Sequence, residues 1–211
     1  MKKRKLCILA TTLLLVAVLS IGATAAYSTD SEVSENNFSF LYADIELQEP
    51  EWEALSDPEK IAYPGRVIPK DPLAVNSGDV PLYVFLEVKV PKVFCRTVGA
   101  DKVTIYDAAT QPLFSFSNTE RWHLVDTDNS AEDFETFVYG YCDVVEPGES
   151  TTKLFTSVNV IDFLEGDVDA ETFQMPIRTF GIQSNYLEAD VASIEAQLED
   201  IFTTHKNVLQ N

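Results

Sequence analysis

Alternation of apolar and polar positions with a period of two governs most of this chain. It is clearest over Leu82-Tyr83-Val84-Phe85-Leu86-Glu87-Val88-Lys89-Val90. There Leu82, Val84, Leu86, Val88 and Val90 share one face, and Tyr83, Phe85, Glu87 and Lys89 share the other. A strand so patterned must bury its first face, and only the Glu87–Lys89 end of the second reads as wet. Further segments rich in Val, Ile, Phe, Tyr and Thr predict strands over 38–47, 66–69, 73–76, 102–106, 112–117, 121–126, 134–145, 152–160 and 175–184.

Turn chemistry separates them. Asn76-Ser77-Gly78-Asp79, Glu146-Pro147-Gly148-Glu149 and Tyr63-Pro64-Gly65-Arg66 each pair a glycine with a residue that favours a local bend. Pro81 and Pro91 bracket the 82–90 strand, where a missing amide is tolerated at its start or beyond its end. About ten short strands at this spacing predict an all-β fold, an antiparallel β-sandwich, and not an α/β enzyme. One stretch changes period: Val191, Ile194, Leu198 and Ile201 recur at helical spacing, with Glu195, Glu199 and Asp200 opposite. This predicts a short C-terminal amphipathic helix over 189–203, covering one edge or end of the sandwich. The acidic, proline-punctuated segment 48–61 and the stretch 127–133 read as loops.

The N-terminus has a different grammar. Lys2 to Lys5 are basic, Leu6 to Ile21 are almost wholly apolar, and Gly22-Ala23-Thr24-Ala25-Ala26 are small. That is the three-part pattern of a secretory signal peptide. Thr24 and Ala26 fit the −3 and −1 positions of cleavage, which makes Tyr27 the first mature residue. The expected organisation is a signal peptide over 1–26, a flexible arm over 27–37, a sandwich over 38–188, the helix over 189–203 and a tail over 204–211. The protein is expected outside the cell, touching membrane only through the uncleaved signal peptide.

Charge sharpens that picture. The 211 residues carry 34 Asp+Glu against 15 Lys+Arg, a net −19. Removing Lys2, Lys3, Arg4 and Lys5 with the signal peptide leaves 11 bases and a net −23. Such a surface repels phosphate backbones, so no nucleic-acid partner is expected. Of the three cysteines, Cys95 and Cys142 remain after cleavage. They are either a disulfide, which export permits, or two free thiols buried as small apolar side chains.

Candidate chemistry is sparse. The two histidines, His123 and His205, are 82 residues apart and form no zinc-protease pair. Gly148-Glu149-Ser150-Thr151-Thr152 lacks the second glycine of a nucleophile elbow. No catalytic residue and no cofactor is therefore expected, with calcium as the one cation to consider. Asp126, Asp128 and Asn129 begin like a calcium loop, and Glu132 and Asp133 are in position to close a cage of another shape. Ala131 and Phe137 stand where that loop type has Gly and a bidentate Glu. Asp167-Val168-Asp169-Ala170-Glu171 alternates carboxylates along an extended segment in the same way. Aromatic residues interleave with the strands, as in Phe38, Phe40 and Tyr42, in Phe114 and Phe116, and in Phe134, Phe137, Tyr139 and Tyr141. They read as sandwich core, or as a sugar-stacking or assembly face.

Taken together, several stretches resemble a known group. Thr24-Ala25-Ala26-Tyr27-Ser28-Thr29-Asp30 resembles the processing region of SipW-dependent signal peptides of Gram-positive bacteria. Pro64 to Pro72 with Asn76-Ser77-Gly78, Tyr83 to Pro91, Tyr139-Gly140-Tyr141 with Pro147 to Phe155, and Phe180 to Asn185 resemble the TasA/camelysin family, especially its clostridial branch. The resemblance implies a jelly-roll sandwich, release by a SipW-type signal peptidase, and a structural role in extracellular biofilm-matrix or surface fibres. It implies partners that are further copies or related matrix subunits, joined by adding an N-terminal strand of one subunit to the sheet of the next. Two alternatives stand beside it: a monomeric extracellular module for a glycan or wall polymer, and a camelysin-like metalloprotease, for which the chain has no zinc motif.

Overall fold

The computed structural model describes residues 43–168, 173–184 and 193–209. The predicted cleavage residues Thr24, Ala26 and Tyr27, the arm 27–37 and the aromatic residues Phe38, Phe40 and Tyr42 lie outside the described residues.

The fold is an all-β antiparallel sandwich with a C-terminal helix. Its strands are β1 (Ile45–Gln48), β2 (Val67–Pro69), β3 (Leu73–Asn76), β4 (Leu82–Val98), β5 (Ile105–Pro112), β6 (Phe114–Ser115), β7 (Trp122–Asp128), β8 (Phe134–Tyr141), β9 (Ser157–Val160) and β10 (Ile177–Gln183). One sheet runs β10-β4-β8-β7, with β5 paired to the far end of β4. Facing it are β2-β9-β6 and the pair β1-β3, in which Val75 of β3 also bridges to Ser150 in the segment leading to β9. Between them lies the main core. The alternating face of β4 fills its centre, with Leu82, Val84, Leu86, Val88 and Val90 all fully buried. Phe116 reaches into it, its ring 4.4 Å from Phe155, 5.9 Å from Phe137 and 6.0 Å from Tyr139. The interleaved aromatic residues within the described chain are thus largely core.

The other face of β4 is also dry, for a reason that the alternation alone does not reveal. Tyr83, Phe85 and Val138 pack under Leu198, Ile201 and Phe202 of α2 (Ile194–Leu209). The helix therefore covers the outer face of the sheet and not an edge or end. It is pinned there by His123 Nε2 to Glu199 Oε1 at 2.9 Å, Lys206 Nζ to Asp126 Oδ2 at 2.7 Å and Gln197 Nε2 donating to the Tyr83 hydroxyl at 2.6 Å. Glu87, at the end expected to be wet, is only 6 % exposed. Lys89 and Arg178 lie 3.6 and 3.7 Å from its carboxylate, which makes the burial tolerable.

Several boundaries differ from the periodicity, including the C-terminal helix, which runs Ile194–Leu209 into the stretch expected as a tail. β4 runs on through Pro91 to Val98 because it changes partners there. On the edge that carries β10 as far as Val88, β5 takes over from Lys92, while Lys92 still donates to the Asp133 carbonyl on the β8 edge; the missing amide of Pro91 falls at the hand-over from β10 to β5. The strand expected over 102–106 begins only at Ile105. Asp101 captures the preceding residues in a turn, its Oδ1 accepting from the Val103 and Thr104 amides and its Oδ2 from the Thr104 hydroxyl. The segment 48–61, expected as a loop, holds a short helix α1 (Pro50–Ala54) and a 3-10 turn (Asp57–Lys60). A reciprocal Ser56–Glu59 capping box opens the latter. Finally, the expected strands over 134–145 and 152–160 contract to Phe134–Tyr141 and Ser157–Val160.

Candidate functional site

Where the two sheets part beside β2, the core opens into a groove of about 940 Å³. Its floor is core material, with Ile68 from β2, Val158 and Val160 from β9, and Leu113 and Phe114 before and in β6. Phe173, Met175 and Pro176, leading into β10, form one wall. The segment from Glu49 to Pro64 forms the other, with Trp52 and Tyr63 facing in.

That second wall is a small polar assembly built on one buried acid. Asp71 is fully buried, and its Oδ1 accepts from the backbone amides of Glu51 at 3.0 Å and Trp52 at 3.2 Å, holding the first turn of α1. Its Oδ2 lies 3.2 Å from Lys153 Nζ, which also binds Glu51. Lys70, itself 6 % exposed, pairs with Glu49 at 2.7 Å. The ammonium groups of Lys70 and Lys60 lie 4.7 and 5.2 Å from the Trp52 ring centroid, so two cations stand over the indole. Arg66 clasps the rest of the wall by donating to the carbonyls of Ile61 and Glu59. The groove thus has an apolar floor, an aromatic rim and a polar lip on which Lys60 and Lys70 stand with Glu49 and Asp57.

Beside the groove the β4–β5 hairpin leaves the sandwich. It is anchored by Arg96, whose Nε and terminal nitrogen donate to the two carboxylate oxygens of Asp167 at 2.8 and 2.6 Å, while its backbone amide donates to Oδ2 at 2.9 Å. Lys102 pairs with Asp162, and the Val98 amide donates to the Asp162 carbonyl at 2.7 Å. The guanidinium and amide hydrogen bonds from Arg96 hold the Asp167 carboxyl down at about 2 against an ordinary 3.8. A carboxyl whose pKa falls on folding stabilises the fold above pH 3.8, and that contribution is lost as pH drops towards about 2. Acid titration followed by NMR is therefore expected to release the hairpin anchor over this interval, and Asp167→Asn to abolish the pH dependence of the Arg96 signals.

The residues singled out in the sequence do not converge on one place. Cys95 and Cys142 are free thiols, which corrects the disulfide alternative. Cys95 belongs to the main core and Cys142 packs on the α2 side. The register explains the separation. Phe85 pairs with Gly140, so Cys95 lies ten residues of strand beyond that level, roughly 30 Å at the strand rise. A disulfide needs Cα atoms within about 7 Å. Burial pushes both thiols above their ordinary pKa.

The calcium candidates disperse. Asp126 faces Lys206, and Asp128 Oδ1 accepts from the Ser130 amide at 2.8 Å. The Lys92 ammonium sits on the carbonyls of Asn129 and Ala131 at 3.2 and 2.7 Å, and its amide donates to the Asp133 carbonyl. A fixed cation already occupies the side of the loop that offers carbonyl oxygens. Neither Glu132 nor Asp133 closes a cage with them, since among the described residues no three His, Cys, Asp or Glu side chains gather as metal ligands. His205 Nδ1 lies 2.8 Å from the Ile201 carbonyl, one turn back in its own helix. Ser150 sits in the bridge to Val75, after a turn in which Gly148 takes φ +80°.

Sequence reasoning passed over Trp52, Lys70 and Asp71. The Ser56–Glu59 spacing with Pro58 inside it was the available local signal, because it marks an ordered turn within an apparently loose acidic stretch. Comparison of the chain with protein-family models, with characterised proteins and with solved structures gives no match.

Proposed function

We propose that this chain is an exported structural subunit of extracellular matrix or surface fibres, in which residues 27–37 of one copy add as a strand to the next. The observation that carries the reading is the groove beside β2, where core side chains Ile68, Leu113, Phe114, Val158 and Val160 line an opening and not a closed interior. An opening of this kind between two sheets suits an extended segment better than a compact ligand. Residues 27–37 supply a matching occupant. Fully extended they span roughly 35 Å, and they carry Asp30, Glu32 and Glu35 with no base, while the groove is lined by Lys60 and by the Lys70–Glu49 pair, with Asp57 beside them. The resemblance to TasA/camelysin proteins supports the same reading, with release by a SipW-type peptidase and no catalytic activity.

A glycan- or wall-binding module is the second reading, favoured by Tyr63, which stands 54 % exposed at the groove rim near Trp52.

The test compares the processed chain with one lacking residues 27–37, by electron microscopy and light scattering, at low salt and at about 0.15 M ionic strength. Filaments are expected from the first and none from the second. A synthetic peptide of residues 27–37 is expected to cap growth and to perturb Trp52 fluorescence. Filaments that survive the truncation overturn the strand-addition reading. A single copy in every condition overturns self-assembly and leaves the binding module.

A further inference from the structure

We infer that the β4–β5 hairpin, Lys92 to Pro112, is a second contact surface, on which another copy of this chain docks hairpin to hairpin through the free edge of β5. The inference rests on the reading of the chain as a self-assembling subunit and adds to it a lateral contact separate from the groove.

Exposure is the first observation. Phe94 is 67 % exposed, Val103 80 %, Ile105 54 % and Tyr106 58 %, so half of the large apolar side chains exposed among the described residues stand on this one hairpin. Single exposed apolar residues are ordinary on a protein surface, but four along one strand pair, on both of its faces and in its turn, favour an interaction site. The second observation is the edge. β4 is flanked here on one side by the 162–164 segment, through the Thr97–Phe163 bridge and the Leu164 amide to the Arg96 carbonyl, and on the other by β5. Among the described residues no strand pairs with the outer side of β5. All of Ile105 to Thr110 is exposed, and this stretch carries a single charge, Asp107. Proteins usually blunt such an edge with lysine, proline or a bulge; within Ile105 to Gln111 there is neither lysine nor proline, and the one irregularity is the register shift opposite Arg96.

Charge names the occupant. Two processed copies at −23 each repel over most of their surface. The hairpin carries Lys92, Arg96 and Lys102 against Asp101 and Asp107, a net +1, and stays near neutral when the anchoring Asp162 and Asp167 are counted. Two copies therefore approach there with least repulsion. The strand is also self-complementary. An antiparallel pairing centred on Ala108 sets Tyr106 opposite Thr110, Asp107 opposite Ala109 and Ile105 opposite Gln111, with no like charges facing. The register shift opposite Arg96 puts an extra residue in β5 between Tyr106 and Ala109, which interrupts the ladder at the centre of that pairing, so apolar side chains must supply much of the contact. The Arg96–Asp167 and Lys102–Asp162 anchors hold the hairpin in place before docking, which reduces the ordering cost of association.

The experiment uses the processed chain and, in parallel, the chain lacking residues 27–37, which retains every residue of the described core. Light scattering across the micromolar range is expected to find two copies in the truncated chain. Ile105→Lys with Tyr106→Lys is expected to halve that mass while leaving the thermal midpoint unchanged, since both side chains are exposed. Under mild oxidation, Ala108→Cys in the processed chain is expected to give covalent dimers far faster than Ser130→Cys on the 127–133 loop. A truncated chain that is single at every concentration, a pair that survives the lysine variants, or equal cross-linking of the two cysteines overturns the inference. Failure of the strand-addition reading is seen separately, as filaments that persist without residues 27–37.

Discussion

Phe85→Ala is expected to lower the unfolding free energy by about 3–5 kcal/mol and to loosen α2 from the sheet. Phe85 is fully buried at the junction of three elements, with its ring centroid 5.6 Å from Phe180 on β10 and 6.0 Å from Phe202 on α2. Space for it is made by Gly140, its partner on β8. A Cβ there would come within 3.2 Å of the Phe85 ring and 3.1 Å of Leu198. With a glycine opposite and a helix above, no neighbouring side chain can swing in to fill the vacated volume. The cavity term therefore adds to the lost transfer energy. Phe85→Leu, which keeps most of the volume, is expected to cost under about 1.5 kcal/mol. Urea unfolding of the two variants measures the difference. Hydrogen exchange in α2 should accelerate in Phe85→Ala before the central strands are affected. A loss below about 1 kcal/mol, with α2 protection unchanged, would mean the helix docks without this ring.

The same residue marks how far the sequence could be read. Alternation over 82–90 identified the buried face of β4 directly, because every second residue is a branched aliphatic. It left the role of Tyr83 and Phe85 open, since a polar tail at Glu87 and Lys89 mimics a solvent face. What buries that face is a helix more than a hundred residues away, and local periodicity carries no information about such a contact. Pro91 misled for a related reason. A proline usually ends a strand by removing an amide, but here the amide falls where β4 exchanges one partner for another, and partner exchange is a property of topology. The cysteines and the 126–133 carboxylates were undecided in the same sense: register keeps Cys95 far from Cys142, and Lys92 and Lys206 come from other elements to meet the loop. Most of the groove was invisible because its floor is ordinary core sequence. What makes it a site is that, among the described residues, no strand covers it.

Asp71→Ala is the second large expected effect, and it separates the groove wall from the core beneath it. The Asp71 carboxylate is fully buried, so its removal leaves the amides of Glu51 and Trp52 without their acceptor and takes one of the two acids from Lys153. Lys153 is a third exposed and keeps Glu51, so its loss is partly offset by water and by the remaining pair. The expected cost is about 3 kcal/mol, dominated by the two stranded amides. Asp71→Asn retains an oxygen for those amides and is expected to cost about half as much. Because Trp122 is buried in the core and hydrogen-bonded to the Thr152 carbonyl, the two tryptophans report separately on core and wall. In Asp71→Ala the Trp52 emission is expected to shift to the red, as the indole leaves its place beside Lys60 and Lys70, while that of Trp122 holds. Under conditions where the variant stays folded, binding of the 27–37 peptide is expected to fall at least tenfold, and by less in Asp71→Asn. Peptide binding that survives with Trp52 released would detach the wall from the proposed strand site and leave the apolar floor as its only determinant.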